Sequence, residues 1–147
     1  MILLQIVLGY ILADALSGLY HVLTDYGYNI QHQVKLFQYH HIHPETMTFD
    51  WQPFLAGLPI ILLSFLGIYP IFFISLGVCL CLSQVAHLYC HRQPNKFIKF
   101  LQNIGFFIKP EHHLKHHSGN FDSNFCIFTG HNDIWLNPII NIIKKQR

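Results

Sequence analysis

Apolar positions run almost unbroken from Ile2 to Leu23, interrupted by Gln5, Asp14, Ser17, Tyr20 and His21. As a helix the run is about 33 Å long, enough to cross a bilayer core of about 30 Å. On a helical wheel Asp14, His21 and Asp25 fall within roughly 40° of one another. An acid and an imidazole inside such a span normally face protein. Asp14, deep in the span, reads as a structural polar contact, whereas His21 and Asp25 sit near its end, where a site at the membrane surface can use them. Positions 26–52 are polar and aromatic, and Pro44 disfavours helix at His43, so His40 and His41 end a short helix or sit on a loop. A second apolar block, Phe54 to His91, is divided by Gly67 and Pro70. Its first arm, Phe54 to Ile68, is short for a span at about 22 Å, and its second, Pro70 to His91, is long enough. The pattern predicts a helical hairpin, with a re-entrant first arm as the alternative. Phe97 to Ile108 is apolar with basic flanks and too short to cross, so it reads as an interfacial helix, as does the stretch around Trp135 and Ile139 to Ile143.

The expected fold is therefore an all-α integral membrane protein with about three transmembrane helices plus interfacial helices, in a single domain over 1–147. Composition agrees. Charged residues make up 11% of the 147 residues, against about 25% in soluble domains. A net charge of +2 with neutral histidines is too small to argue for nucleic acid. Cys79, Cys81, Cys90 and Cys126 form no CxxC pair and read as small apolar residues. The N-terminal run has no basic flank or small-residue cleavage site and reads as a retained helix.

Twelve histidines are the outlier. Nine come from four segments: His21; His40 and His41; His87 and His91; and His112, His113, His116 and His117. Spacings of three and four residues place imidazoles side by side on a helix. A returning hairpin would bring all four segments to one membrane face. Arg92, Lys96, Lys99, Lys109, Lys115 and the closing Lys144, Lys145 and Arg147 mark that face as cytoplasmic. All-nitrogen ligation disfavours magnesium and calcium and permits iron, zinc or copper. Nine histidines suggest two metals, or one metal plus bystanders; zinc needs only three or four ligands, so the excess favours a redox pair of irons able to activate O2 against a lipid C–H bond. Asp25 is expected to orient a ligand imidazole from behind, and Asn132 to make contact near the site. His32, His43 and His131 read as solvated or headgroup-facing.

Several motifs carry a family resemblance. Ala13-Asp14-Ala15-Leu16-Ser17-Gly18-Leu19-Tyr20-His21 with Asp25 resembles the opening motif of the plasmanylethanolamine desaturase/CarF family of lipid desaturases. Phe37-Gln38-Tyr39-His40-His41-Ile42-His43-Pro44 is similar to its double-histidine motif, Gln84 to His91 to its H-x-x-x-H helix, and His112 to His117 to its H-H-x-x-H-H segment. Phe125-Cys126-Ile127-Phe128-Thr129-Gly130-His131-Asn132 is similar to its closing motif. Val22, Leu88 or Tyr89, and His131 stand where the family usually has Trp, and His43 where it usually has an acid. The resemblance implies an integral-membrane di-iron enzyme using O2 and two electrons from an external electron-transfer protein. It implies a phospholipid substrate, ether or acyl, altered close to the headgroup, and includes formation of the plasmalogen vinyl ether bond. A di-iron lipid hydroxylase and a non-enzymatic membrane metal carrier or sensor are the alternatives.

Overall fold

The computed structural model describes residues 1–26, 39–49, 51–118 and 121–145. Expectations for His32, for Phe37 and Gln38 and for Arg147 lie outside them. Seven α-helices are described: α1 (Ile2–Asp25), α2 (Trp51–Leu55), α3 (Gly57–Leu62), α4 (Pro70–His91), α5 (Lys96–Asn103), α6 (Pro110–His117) and α7 (Asp133–Lys145). Residues 39–42 add a helical turn and Leu63–Leu66 a 3₁₀ turn, and no strand occurs among the described residues.

Among the described residues two helices, α1 and α4, are long and apolar enough to cross a membrane, where about three are expected from sequence. They run parallel in close contact. Gln5 Oε1 accepts from the Phe72 amide (3.2 Å), Ser75 donates to the Ile6 carbonyl (2.9 Å), and His21 lies beside His87 with ring centres 5.7 Å apart. Both members of these pairs advance in the same direction along the chain. Small residues let the backbones approach: a Cβ on Gly9 would stand 2.8 Å from the Leu76 nitrogen. The buried positions of α1 are Gly9, Ala13, Asp14, Ser17, Gly18, His21 and Thr24, one face of a helix. The opposite face is exposed and almost wholly aliphatic, from Ile2, Leu3 and Leu4 to Leu19 and Leu23.

The first arm of the expected hairpin is present in pieces. Ala56 separates α2 from α3, and Gly67, at φ +74°, stops the 3₁₀ turn in the left-handed conformation that glycine adopts freely. The arm still folds back along α4. Cys81 Sγ lies 3.0 Å from the Phe54 carbonyl, and Gly77 packs against Ile61, so rising numbers on one side meet falling numbers on the other.

The interfacial helix is shorter than its apolar run. Asn95 caps α5 by accepting from the Ile98 amide (2.9 Å). The helix ends at Asn103, because Gly105 turns at φ +77° and the Phe106 and Phe107 amides fold back onto the Leu101 carbonyl. Phe107 and Ile108 then enter the core. Phe97 and Phe100 remain exposed on α5 and Ile104 just after it, as do Ile134, Trp135, Ile139 and Ile142 on α7.

Phe125 to Phe128 is non-helical yet almost completely buried. Buried peptide groups need partners, and side chains of neighbouring elements supply many of them. The Ile127 amide donates to Ser17 (3.3 Å) and the Cys126 amide to Asp133 Oδ1 (3.0 Å). Asp14 holds the next turn. Its Oδ1 accepts from the amides of Thr129 (2.7 Å) and Gly130 (3.1 Å), and its Oδ2 from the amide and side chain of Asn132 (both 3.0 Å). This acid inside a membrane-length helix is thus the anchor of a buried loop.

Candidate metal centre

Three helices end at one place. His21 and Asp25 lie in the last two turns of α1, His87 and His91 in those of α4, and His113, His116 and His117 in those of α6. The turn at 39–42 adds His40 and His41. Their side chains sort into two groups: His40, His87, His91, His113 and His117, and His21, Asp25, His41 and His116. Within each group one ligand atom per residue lies within 4.8 Å of all the others. The groups are adjacent, with the His41 and His117 rings 5.1 Å apart and the His116 and His117 rings 5.5 Å apart.

The first group is built around His113. Its Nε2 lies 3.0 Å from the Nε2 atoms of His87, His91 and His117. One imidazole nitrogen offers either one N–H or one lone pair, so it cannot bond to all three. Four nitrogens crowded in this way are better explained as donors to a common cation. At a metal–nitrogen distance of about 2.1 Å, ligands at right angles stand about 3.0 Å apart, and tetrahedral ligands about 3.4 Å. The spacing therefore fits five- or six-coordination better than four. Among the described residues, His40 leaves both ring nitrogens buried without a hydrogen-bond partner, and His113 and His117 each leave Nδ1 so.

The second group is completed by a carboxylate. Asp25 Oδ1 is 3.3 Å from His41 Nε2 and 3.7 Å from His21 Nε2, and its Oδ2 is 3.2 Å from His116 Nε2. Backbone carbonyls fix two of these rings from behind. His21 Nδ1 donates to Phe125 O (3.0 Å) and His116 Nδ1 to Ser123 O (2.8 Å), which leaves each Nε2 as the lone-pair nitrogen. Phe121 stacks on His41 at 4° and 4.5 Å.

The electrostatics suit cation binding. Burial, then His91 and His41, depress His40 to about 3. Burial and His116 depress His41 to about 4. Burial, His40 and His91 depress His117 to about 2, and burial with His87 and His21 holds His113 well below the ordinary imidazole value. These rings are neutral at physiological pH, with lone pairs available.

Eight of the nine expected histidines come together. His112 does not, although it shares a face with His116: its Nε2 is 2.8 Å from Asp133 Oδ2, outside both groups. Asn132 also lies outside, on Asp14 and the Ile11 carbonyl (2.9 Å). Asp25, expected behind a ligand, stands among the candidate ligands themselves. His131 is exposed and bonds Thr129, and His43 is half-exposed beside Glu45. Sequence reasoning missed Asp133, Ser123 and Phe121. Asp133 had one signal, an acid at the start of an apolar amphipathic run; the other two had none.

Residues 10–144 match the sequence model of the lipid desaturase domain family. A "probable fatty acid desaturase" of Acanthamoeba polyphaga mimivirus is 29% identical over 97% of this chain and 78% of its own length. Fatty acid desaturase 4, chloroplastic, of Arabidopsis thaliana is 29% identical over 83% of this chain and 43% of its own. Fatty acid desaturase 4-like 2, chloroplastic, from the same plant is 32% identical over 83% and 50%. The chain thus spans half or less of these plant relatives. No solved structure matches it.

Proposed function

The chain belongs to the lipid desaturase domain family, and from that premise we propose that it is a multi-pass membrane lipid desaturase with a di-iron centre. The observation that carries the reading is the pair of adjacent ligand groups, eight histidines and Asp25, at the ends of two membrane-length helices. His40, His87, His91, His113 and His117 would hold one iron, and His21, His41, His116 and Asp25 the other. His112, included among the ligands on sequence grounds, is left out because it is committed to Asp133. Two irons, when bound, supply oxidising power from O2 and two electrons delivered by a separate electron-transfer protein. Two hydrogens leave adjacent carbons of the substrate chain, and with O2, two electrons and two protons they form two waters.

The residues of the chain prepare that chemistry. Phe125 O and Ser123 O hold His21 and His116 in the tautomer whose Nε2 is free to ligate. Phe121 covers one face of His41, and the buried Phe125 packs beside His21 and His116, keeping water from that side. The parallel run of α1 and α4 supports a third passage through the bilayer, since the chain between them has to return across the same thickness; α2 and α3, antiparallel to α4, take that course. Arg92, Lys96, Lys99, Lys109 and Lys115, clustered after α4, favour the cytoplasmic face for the site. The substrate proposed is a phospholipid chain near its headgroup. The relatives' names favour an acyl chain over the ether-linked chain of a plasmalogen precursor.

Expression in a host lacking the activity but supplying reductase and both lipid types, followed by lipid mass spectrometry, tests this. Wild type should yield a lipid lighter by two hydrogens, and His116→Ala none. A product heavier by one oxygen would identify a hydroxylase. Unchanged lipids together with one zinc and no iron in the purified protein would sink the desaturase reading.

A further inference from the structure

A cleft of about 510 Å³ opens between the end of α4, helix α5 and the start of α6, walled by Gln93, Pro94, Lys99, Gln102, Asn103, Lys109, Pro110 and Glu111. None of these residues belongs to the ligand groups. Two lysines and one glutamate leave the wall with a net charge of +1, and Gln93 and Asn103 add neutral donors, the buried Gln102 already donating to the Tyr89 carbonyl. A concave site that combines ammonium groups and amides suits one phosphate ester.

Its place in the fold says which phosphate ester. Helix α5 forms one wall while Phe97 and Phe100 on it, and Ile104 just after it, are exposed, so the cleft lies where an apolar face meets a basic one, at headgroup depth. Pro110 precedes the candidate ligand His113 by three residues, about 5 Å of helix rise. We propose that this cleft seats the phosphodiester of the substrate phospholipid, with Lys99 and Lys109 as the charged contacts. The proposal rests on the desaturase reading and deepens it. A lipid held there by its phosphate offers its headgroup-proximal carbons, not its methyl end, to the centre.

The test uses the full metal-loaded chain in detergent. Native mass spectrometry compares retention of phosphatidylglycerol with that of diacylglycerol carrying the same chains. Wild type should prefer the phospholipid by about tenfold, the scale expected for two surface lysines. Lys99→Ala/Lys109→Ala should abolish the preference, and Lys99→Arg/Lys109→Arg should keep it. Lys96→Ala, exposed on the same helix but outside the cleft, should also keep it. A preference surviving in the double alanine variant, or lost equally in Lys96→Ala, overturns the proposal. So does displacement of the lipid by millimolar inorganic phosphate, which would mark a free-phosphate site. The two readings fail separately. A wild type that makes no unsaturated lipid but keeps the preference removes the desaturase reading and leaves the cleft. A double alanine variant that desaturates phospholipid with unchanged KM removes the cleft alone.

Discussion

Asp14→Asn isolates the anchor of the buried loop. The change conserves shape but removes the charge and turns one acceptor oxygen into a donor. Whichever way the new amide points, it confronts either the Thr129 and Gly130 amides or the two Asn132 donors, now 2.7 to 3.1 Å from the carboxylate. Two charge-assisted bonds are lost, each contributing about 1.5–3 kcal/mol, and two buried donors are left unmatched. A cost of about 3–5 kcal/mol follows, a large share of a typical total of about 5–15 kcal/mol. The loss is directed at the loop, so its readout is Cys126, which is fully buried and whose thiol is pushed upward by burial and by the Asp14 and Asp133 carboxylates. Maleimide labelling, located by peptide mapping, should rise about 100- to 4,000-fold at Cys126, because each 1.4 kcal/mol of easier opening is about tenfold. Cys79 and Cys90, buried in the core around α4, should respond less. Iron content should fall too, since Phe125 O and Ser123 O would no longer hold His21 and His116. Unchanged protection of Cys126 in a stable Asp14→Asn protein would refute the reasoning.

Three further predictions concern the centre. By metal analysis, His116→Ala and His117→Ala should each lose about half the bound iron, since each removes one ligand from a different group; His112→Ala should keep wild-type iron while losing about 1–2 kcal/mol of stability with its Asp133 bond, and iron loss in His112→Ala as deep as in His116→Ala would restore it as a ligand. Gly130→Ala should destabilise by about 1–3 kcal/mol in chemical denaturation, because φ is +79° and the new methyl would stand 2.9 Å from His112 Nε2. Metal-free protein should weaken as pH falls below about 6.5, where the unfolded histidines take up protons while His41, His40 and His117 do not until about 4, 3 and 2. The folded state binds fewer protons across that window, so the denaturation midpoint should be lower at about pH 5 than at about pH 7.5 and flat above it; a midpoint that rises on acidification contradicts the proton balance.

Periodicity carried the all-helical fold and the bounds of α4, and histidine spacing anticipated most of the side chains that the two groups bring together, because both depend on short-range helix geometry. Longer-range choices were not legible. His112 and His116 share a face, but a face continues over successive turns, and Asp133 from a distant segment takes the first turn while Asp25 takes the second. The apolar run to Ile108 suggested one helix, yet Gly105 breaks it so that Phe107 and Ile108 can fill the space under the loop. Asp14 was read as a structural contact, but no local pattern indicated that its partners are backbone amides more than a hundred residues later.

The three helices whose last turns meet at the centre also bring their backbone carbonyls there. A helix C-terminus carries a partial charge of about −0.5, so α1, α4 and α6 together aim roughly one and a half negative charges at a set of eight imidazoles and a single carboxylate. The peptide backbone thereby complements cations that the side chains of the set, eight imidazoles to one acid, neutralise only weakly. Metal affinity is then a property of helix ends as well as of histidines. Fraying or extending any of these last turns should weaken metal binding even with every ligand side chain in place.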